Sequence, residues 1–136
     1  MNLVPPVLAQ ILLTFVMLLA TGRARFAALR DKRVRMTDIA VASDAWPDDV
    51  RKFSNNYANQ YETPVLFYVL VGIAIYIRAN DILMVVLAWS FVATRVVHAF
   101  IHTGANDVSN RFRIFLAGAT ILMVMWVLIV IRLVFA

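Results

Sequence analysis

The chain has 136 residues, 62% of them hydrophobic and 15% charged, a formal net charge of +5 and no cysteine. It is too short for two ordinary domains and too apolar for its surface to be solvated by water, so lipid is the expected solvent. The absence of cysteine excludes disulfides, a protein thiolate nucleophile and sulfur-bound metals, so any thiol chemistry must use a thiol carried by a substrate.

The first apolar segment, residues 3–20, holds no charge. Pro5-Pro6 near its start, no basic stretch before it and no small-x-small cleavage pattern set it apart from a signal peptide. A retained helix is expected over 3–22. A long connection follows with Arg23, Arg25, Arg30, Lys32, Arg33 and Arg35, then turns acidic with Asp44, Asp48 and Asp49 around Trp46-Pro47. Anionic headgroups and the positive-inside rule account for this basic cluster better than nucleic acid does.

A second helix is expected over 51–79, polar at first and apolar from 63 to 77, with Pro64 kinking it or marking its first turn. A third over 82–102 carries one charge, Arg95, and the short link between the two forces an antiparallel hairpin. After a polar turn with Gly104, Asn106 and Asp107, a fourth helix over 111–134 completes the chain. Roughly 20 residues at about 1.5 Å each cross the hydrocarbon layer, and lipid leaves the backbone no partners outside a helix. The expectation is one all-α domain, residues 1–136, with four transmembrane helices. The basic residues of the long connection flank one face together with Arg51, Lys52, Arg111 and Arg113, against Arg78 and Arg132 on the other. The basic face is therefore expected to be cytoplasmic.

Polar residues at membrane depth carry the functional signal. Lys52, Asn55, Asn59 and Glu62 recur at helical spacing and form one stripe leading into the second apolar run. Arg95, His98 and His102 form another on the third helix, and Arg111 and Arg113 open the fourth. The topology brings all three groups to the same end. Arg95 lies roughly 9 Å from the end of its helix, where an unpaired charge costs a few kcal/mol on insertion scales. Glu62, the only glutamate, is its expected ion-pair partner. The same residues also admit a structural reading, in which intramembrane pairs and amide hydrogen bonds only join helices. His98 and His102 have no carboxylate on their face, which argues against a metal, and Arg111 and Arg113 could be interfacial anchors.

The stretch Asn59-Gln-Tyr-Glu62-Thr-Pro64-Val-Leu-Phe67-Tyr resembles the asparagine-x-x-glutamate plus proline signature of the MAPEG family, membrane-associated proteins in eicosanoid and glutathione metabolism. Arg95-Val-Val-His98-Ala-Phe-Ile-His102 resembles the arginine-x-x-histidine-x-x-x-tyrosine stretch of that family's third helix. Asn110-Arg111 falls where microsomal glutathione transferases carry an asparagine-arginine pair. The resemblance implies a left-handed four-helix bundle, a homotrimer, and glutathione as co-substrate between subunits at the cytoplasmic end. It implies that Arg111 stabilises the thiolate and that Asn59, Glu62, Arg95, His98 and His102 form the binding cradle, to which the residues themselves add Lys52 and Asn55 on the same stripe and Arg113 beside Arg111. A guanidinium beside a thiol lowers its pKa and raises the nucleophilic fraction.

Three positions differ from the family pattern. Asn55 stands where catalytic members carry an arginine, with Lys52 one turn earlier as the nearest cation. His102 replaces a tyrosine, and Thr63 replaces an aromatic residue or asparagine. The function expected is that of a bacterial-type, inner-membrane transferase or peroxidase joining glutathione or a related thiol to lipophilic electrophiles. The alternative is a non-catalytic scaffold, or a lipid- or partner-binding protein, on the same fold. A transporter fits less well, because the ionisable groups gather at one end and not at the midplane.

Overall fold

The computed structural model describes residues 1–135, and every element among them is helical. Helix α1 spans Val4–Arg30, α2 Met36–Ile39, α3 Asp48–Asn59, α4 Thr63–Tyr76, α5 Ile82–Thr103 and α6 Val108–Val134, with a short 3-10 turn at Ser43–Ala45. Helices α1, α5 and α6 are each long and apolar enough to cross a membrane. The fourth leg of the bundle is built differently from the continuous helix expected over 51–79.

That leg is two helices, α3 and α4, separated at residues 60–62. Pro64 is the physical cause. It lacks the N–H that would bond back to the carbonyl of Gln60, and its ring crowds that same carbonyl. Proline is tolerated in the first turn of a helix, which is its place in α4. Glu62 leaves the helical region altogether, at φ −100° and ψ −107°. The first-turn reading of Pro64 therefore holds and the uninterrupted 51–79 helix does not. At 14 residues, α4 is only about 20 Å long and falls short of the hydrocarbon thickness by itself.

Helix α1 also departs from its expected end near residue 22. Residues 21–30 supply mostly alanine, leucine and arginine, all good helix formers, and continue the helix past the apolar run. The extension buries Ala28 against Val34, Trp46 and Val50, a small second core beneath the long connection. The Arg25 guanidinium lies over the Trp46 ring, 5.1 Å from its centroid. The helix closes with a Schellman pattern: Lys32 N–H donates to the Leu29 carbonyl at 3.1 Å and Arg33 N–H to that of Ala28 at 2.9 Å. Arg33 then pairs with Asp49 through both guanidinium nitrogens, at 2.9 and 2.7 Å, fastening the connection to the start of α3.

The main core lies among α4, α5 and α6 with the start of α1, and includes Leu3, Phe67, Ala88, Phe91 and Met125. Phe67 and Phe91 stack with centroids 4.7 Å apart. Helices α5 and α6 approach closely where Gly118 faces Thr94: a Cβ there would lie 2.8 Å from Thr94 Oγ1. Small residues at such crossings let helix backbones meet in lipid, where no hydrophobic drive between helices exists. At the far end, Asp81 caps α5 by accepting from Met84 N–H at 3.1 Å and pairs with Arg132 of α6. Outside the core the apolar side chains face outward, with Leu19 at 72% and Phe100 at 75% exposed. Water would not tolerate that surface; lipid or a protein neighbour would.

The close crossing can be tested directly. Gly118→Ala should destabilise the bundle by about 1 kcal/mol through overpacking, and adding Thr94→Ala should restore most of the loss, as read from thermal unfolding in detergent. A second test concerns pH. The hydrogen bond from Arg33 holds the Asp49 carboxyl below its ordinary value near 3.8. A depressed carboxyl contributes stability above its unfolded pKa and loses it as pH falls through the folded one. Protection factors against hydrogen exchange across residues 46–50 should therefore fall below about pH 4, and Asp49→Asn should remove that dependence while leaving the region looser at neutral pH.

Candidate functional site

Asparagine and glutamine side chains in lipid need partners, and the break in the second leg is where they collect. Gln10 lies on the inner face of α1, six residues into the helix. Its Nε2 donates to Gln60 Oε1 at 3.0 Å. Gln60 Nε2 in turn donates to Asn56 Oδ1 at 3.0 Å and to the Asn56 carbonyl at 3.3 Å. The Asn56 amide nitrogen lies 3.2 Å from His102 Nδ1. All four side chains are buried. A chain of amides thus runs from the outer helix, through the break, to α5.

Beside it opens a cleft of about 490 Å³ with two unlike walls. Asn55 and Asn59 of α3, Glu62 of the break, and His98 and His102 of α5 form the polar wall; Val108, Phe112 and Phe115 of α6 form the apolar one. Arg111 stands at the start of α6, where its side chain donates to Asn106 Oδ1 at 2.7 Å. Asn106 holds a left-handed conformation, φ 54°, which asparagine tolerates better than most residues. A second hollow of about 310 Å³ shares Asn55, His102 and Arg111 with the cleft and adds Asp48, Arg51, Lys52 and Asn106. His98 and His102 meet edge to face, 5.6 Å between centroids, and His98 Nδ1 is buried with no protein partner.

Of the residues singled out from sequence, Asn55, Asn59, Glu62, His98, His102 and Arg111 line this cleft. Lys52 lines the adjoining hollow, its Nζ bonded to the Gly104 carbonyl at 3.1 Å. Arg113 is exposed and lines neither space, because two residues along a helix turn a side chain by about 200° from Arg111. Arg95 is buried behind the cleft and also lines neither.

The expected Glu62–Arg95 ion pair is absent among the described residues. The break moves Glu62 off the α3 stripe, and in the amide orientation that turns its nitrogen to the carboxylate, Asn59 donates to its two oxygens at 2.9 and 3.0 Å. Arg95 instead reaches the Asn59 carbonyl at 3.4 Å. That carbonyl belongs to the last turn of α3, where unsatisfied acceptors and the negative end of the helix dipole suit a cation. Gln10, Asn56 and Gln60 were not visible as site residues from the stripe. The one signal was Gln10 itself, a lone amide near the start of an apolar segment.

Because each amide of the chain satisfies the next, losing one strands another. Gln10→Leu should leave Gln60 Oε1 without its donor and cost about 1–3 kcal/mol. Gln10→Leu with Gln60→Met should cost less than the two single changes together, measured by unfolding in detergent with a double-mutant comparison.

The sequence model of the MAPEG family matches residues 3–131 of the chain. No curated protein and no solved structure gives a significant match.

Proposed function

Because the chain belongs to the MAPEG family, and is with its three apolar helices an integral membrane protein, we propose that its cleft activates a thiol, glutathione or a relative, against lipophilic electrophiles or lipid peroxides. The observation that carries this reading is the cleft's two-sided lining. One wall offers amide and imidazole groups with Arg111, suited to a polar, doubly carboxylated thiol; the other offers Phe112, Phe115 and Val108, suited to an apolar partner. A site between these walls holds a water-soluble nucleophile beside a membrane-soluble electrophile.

In this reading Arg111 is the electrostatic activator. One of its donors is fixed by Asn106, which orients the guanidinium and leaves its remaining N–H groups for a thiolate. The thiol proton leaves to solvent, the sulfur attacks the electrophilic carbon, and the leaving group departs with the bonding pair. Lys52 and Asn55 around the adjoining hollow supply the cationic and amide partners that a ligand carboxylate needs, while Arg51 beside them is already paired with Asp48 at 2.8 Å. Lys52 lies one helical turn before Asn55, so it takes the place of the missing arginine as a point charge rather than as a bidentate fork. Trimeric assembly and a cytoplasmic placement of this end belong to the same proposal. The apolar groove between α4 and α6, lined by Leu66, Val69, Ile73, Met123 and Trp126, suits an adjoining subunit or an acyl chain.

Purified protein in detergent or nanodiscs, given glutathione and a chromogenic aryl halide or a lipid hydroperoxide, should turn over. Arg111→Ala should lower kcat/KM by about 100-fold, the scale for losing one preorganised donor at a developing charge. Full activity in Arg111→Ala would sink the role given to that residue. An absence of both turnover and calorimetric heat with glutathione and other cellular thiols would sink the reading as a whole.

A further inference from the structure

The buried amide chain has a polarity, and that polarity reaches His102. Its direction is anchored at one unambiguous point. The Asn56 backbone carbonyl can only accept, so the Gln60 atom 3.3 Å from it is the amide nitrogen. The same nitrogen lies 3.0 Å from the Asn56 side chain, which must therefore present its oxygen there. Gln60 Oε1 is left at the other end, where it accepts from Gln10 Nε2. With its oxygen committed to Gln60, Asn56 turns its nitrogen to His102, 3.2 Å from Nδ1. An amide nitrogen is only a donor, so Nδ1 has to be an acceptor.

We propose that Gln10, Gln60 and Asn56 act as positioning residues that hold His102 as the neutral tautomer protonated on Nε2. The ring then offers a hydrogen-bond donor, not an acceptor, to whatever occupies the two cavities it lines. The complementary ligand group is an acceptor such as a carboxylate or thiolate. Where the family pattern has a tyrosine, whose hydroxyl can donate or accept, this chain has an imidazole whose direction is set from behind.

One neighbour pulls the other way. Asn59 also approaches Nδ1, at 3.4 Å. Its nitrogen, however, turns to the Glu62 carboxylate at 2.9 and 3.0 Å, leaving its oxygen toward the ring. An oxygen there would favour a proton on Nδ1. The contact from Asn56 is shorter and comes from a side chain with 0% exposure, whose orientation cannot reverse without stranding Gln60 as well. Reversing Asn56 would leave two groups of the network unsatisfied against one for Asn59, and in a buried network each unsatisfied group is costly. The other titratable groups around the ring are Arg95 and His98 on its own helix, Arg111 from α6, Glu62 across the cleft, and Asp48, Arg51 and Lys52 across the adjoining hollow. The arginines carry no acceptor, and Nδ1 bonds only toward Asn56 and Asn59 among the described residues.

The tautomer can be tested without any ligand, so it stands or falls independently of the thiol reading. The chain has two histidines, so selective ¹⁵N-histidine labelling in nanodiscs gives a two-residue spectrum, and His98→Gln leaves His102 alone. Two-bond ¹⁵N–¹H correlations at mildly alkaline pH should show the proton on Nε2. Asn56→Asp replaces the donor by an acceptor of the same shape and should move the proton to Nδ1. A wild-type spectrum with the proton on Nδ1, or an Asn56→Asp spectrum in which it stays on Nε2, overturns the proposal. The wild-type spectrum decides alone if the Asn56→Asp variant does not assemble.

Discussion

The break in the second leg at residues 60–62 is the constraint from which the rest of the structure follows. A proline placed four residues after Gln60 removes one backbone hydrogen bond and crowds the carbonyl that would have accepted it. In water the solvent would take the freed groups. In lipid it has to be repaired from within the protein. The repair draws in Arg95, which reaches the last carbonyl of α3, and it places Gln60 where its side chain joins Gln10 on one helix to Asn56 on another. Polar side chains that an unbroken helix would have aligned along one stripe are instead gathered around a gap.

That gathering explains how a bundle of apolar helices holds a polar cleft. Glu62, released from the helix, faces Asn59; His98 and His102 face it from α5; Arg111 closes it from α6. The apolar side needs no such arrangement, since Phe112 and Phe115 line it from consecutive turns of one helix. The cleft's contrast between walls is therefore a contrast in how they are built. One wall is a network in which each group depends on the next, and the other is an ordinary helix face. Changes in the first should spread; changes in the second should stay local.

The extended α1 and its connection form a second, separable device. The helix continues well beyond its apolar run, turns back through a left-handed Lys32, and is tied down by Trp46, Ala28 and the Arg33–Asp49 pair. Four of the basic residues of this region, Arg30, Arg33, Arg35 and Arg51, are paired with neighbouring aspartates. The charge that looks like a single positive patch in the sequence is thus compensated locally at half of its basic residues. Its contribution to stability is modest, because each pair is open to solvent and to salt.

Sequence alone determined the features that depend on composition and local periodicity. The length of the apolar runs led to three of the four spanning helices expected, because a stretch of some 20 apolar residues has no other stable form in lipid. Helical spacing together with antiparallel topology brought Asn59, Glu62, His98, His102 and Arg111 to one end, and motif resemblance led to the family that the match over 3–131 bears out. What the tertiary structure decided were the partnerships. A stripe on one helix could not reveal that Glu62 would turn to Asn59 and not to Arg95, since that depends on a break whose angle is set by packing against α1, α5 and α6. Nor could it reveal Gln10, fifty residues from Gln60 in the chain and bonded to it in space. Hydropathy says only that an amide in lipid must find a partner; which partner it finds is a matter of where the helices cross.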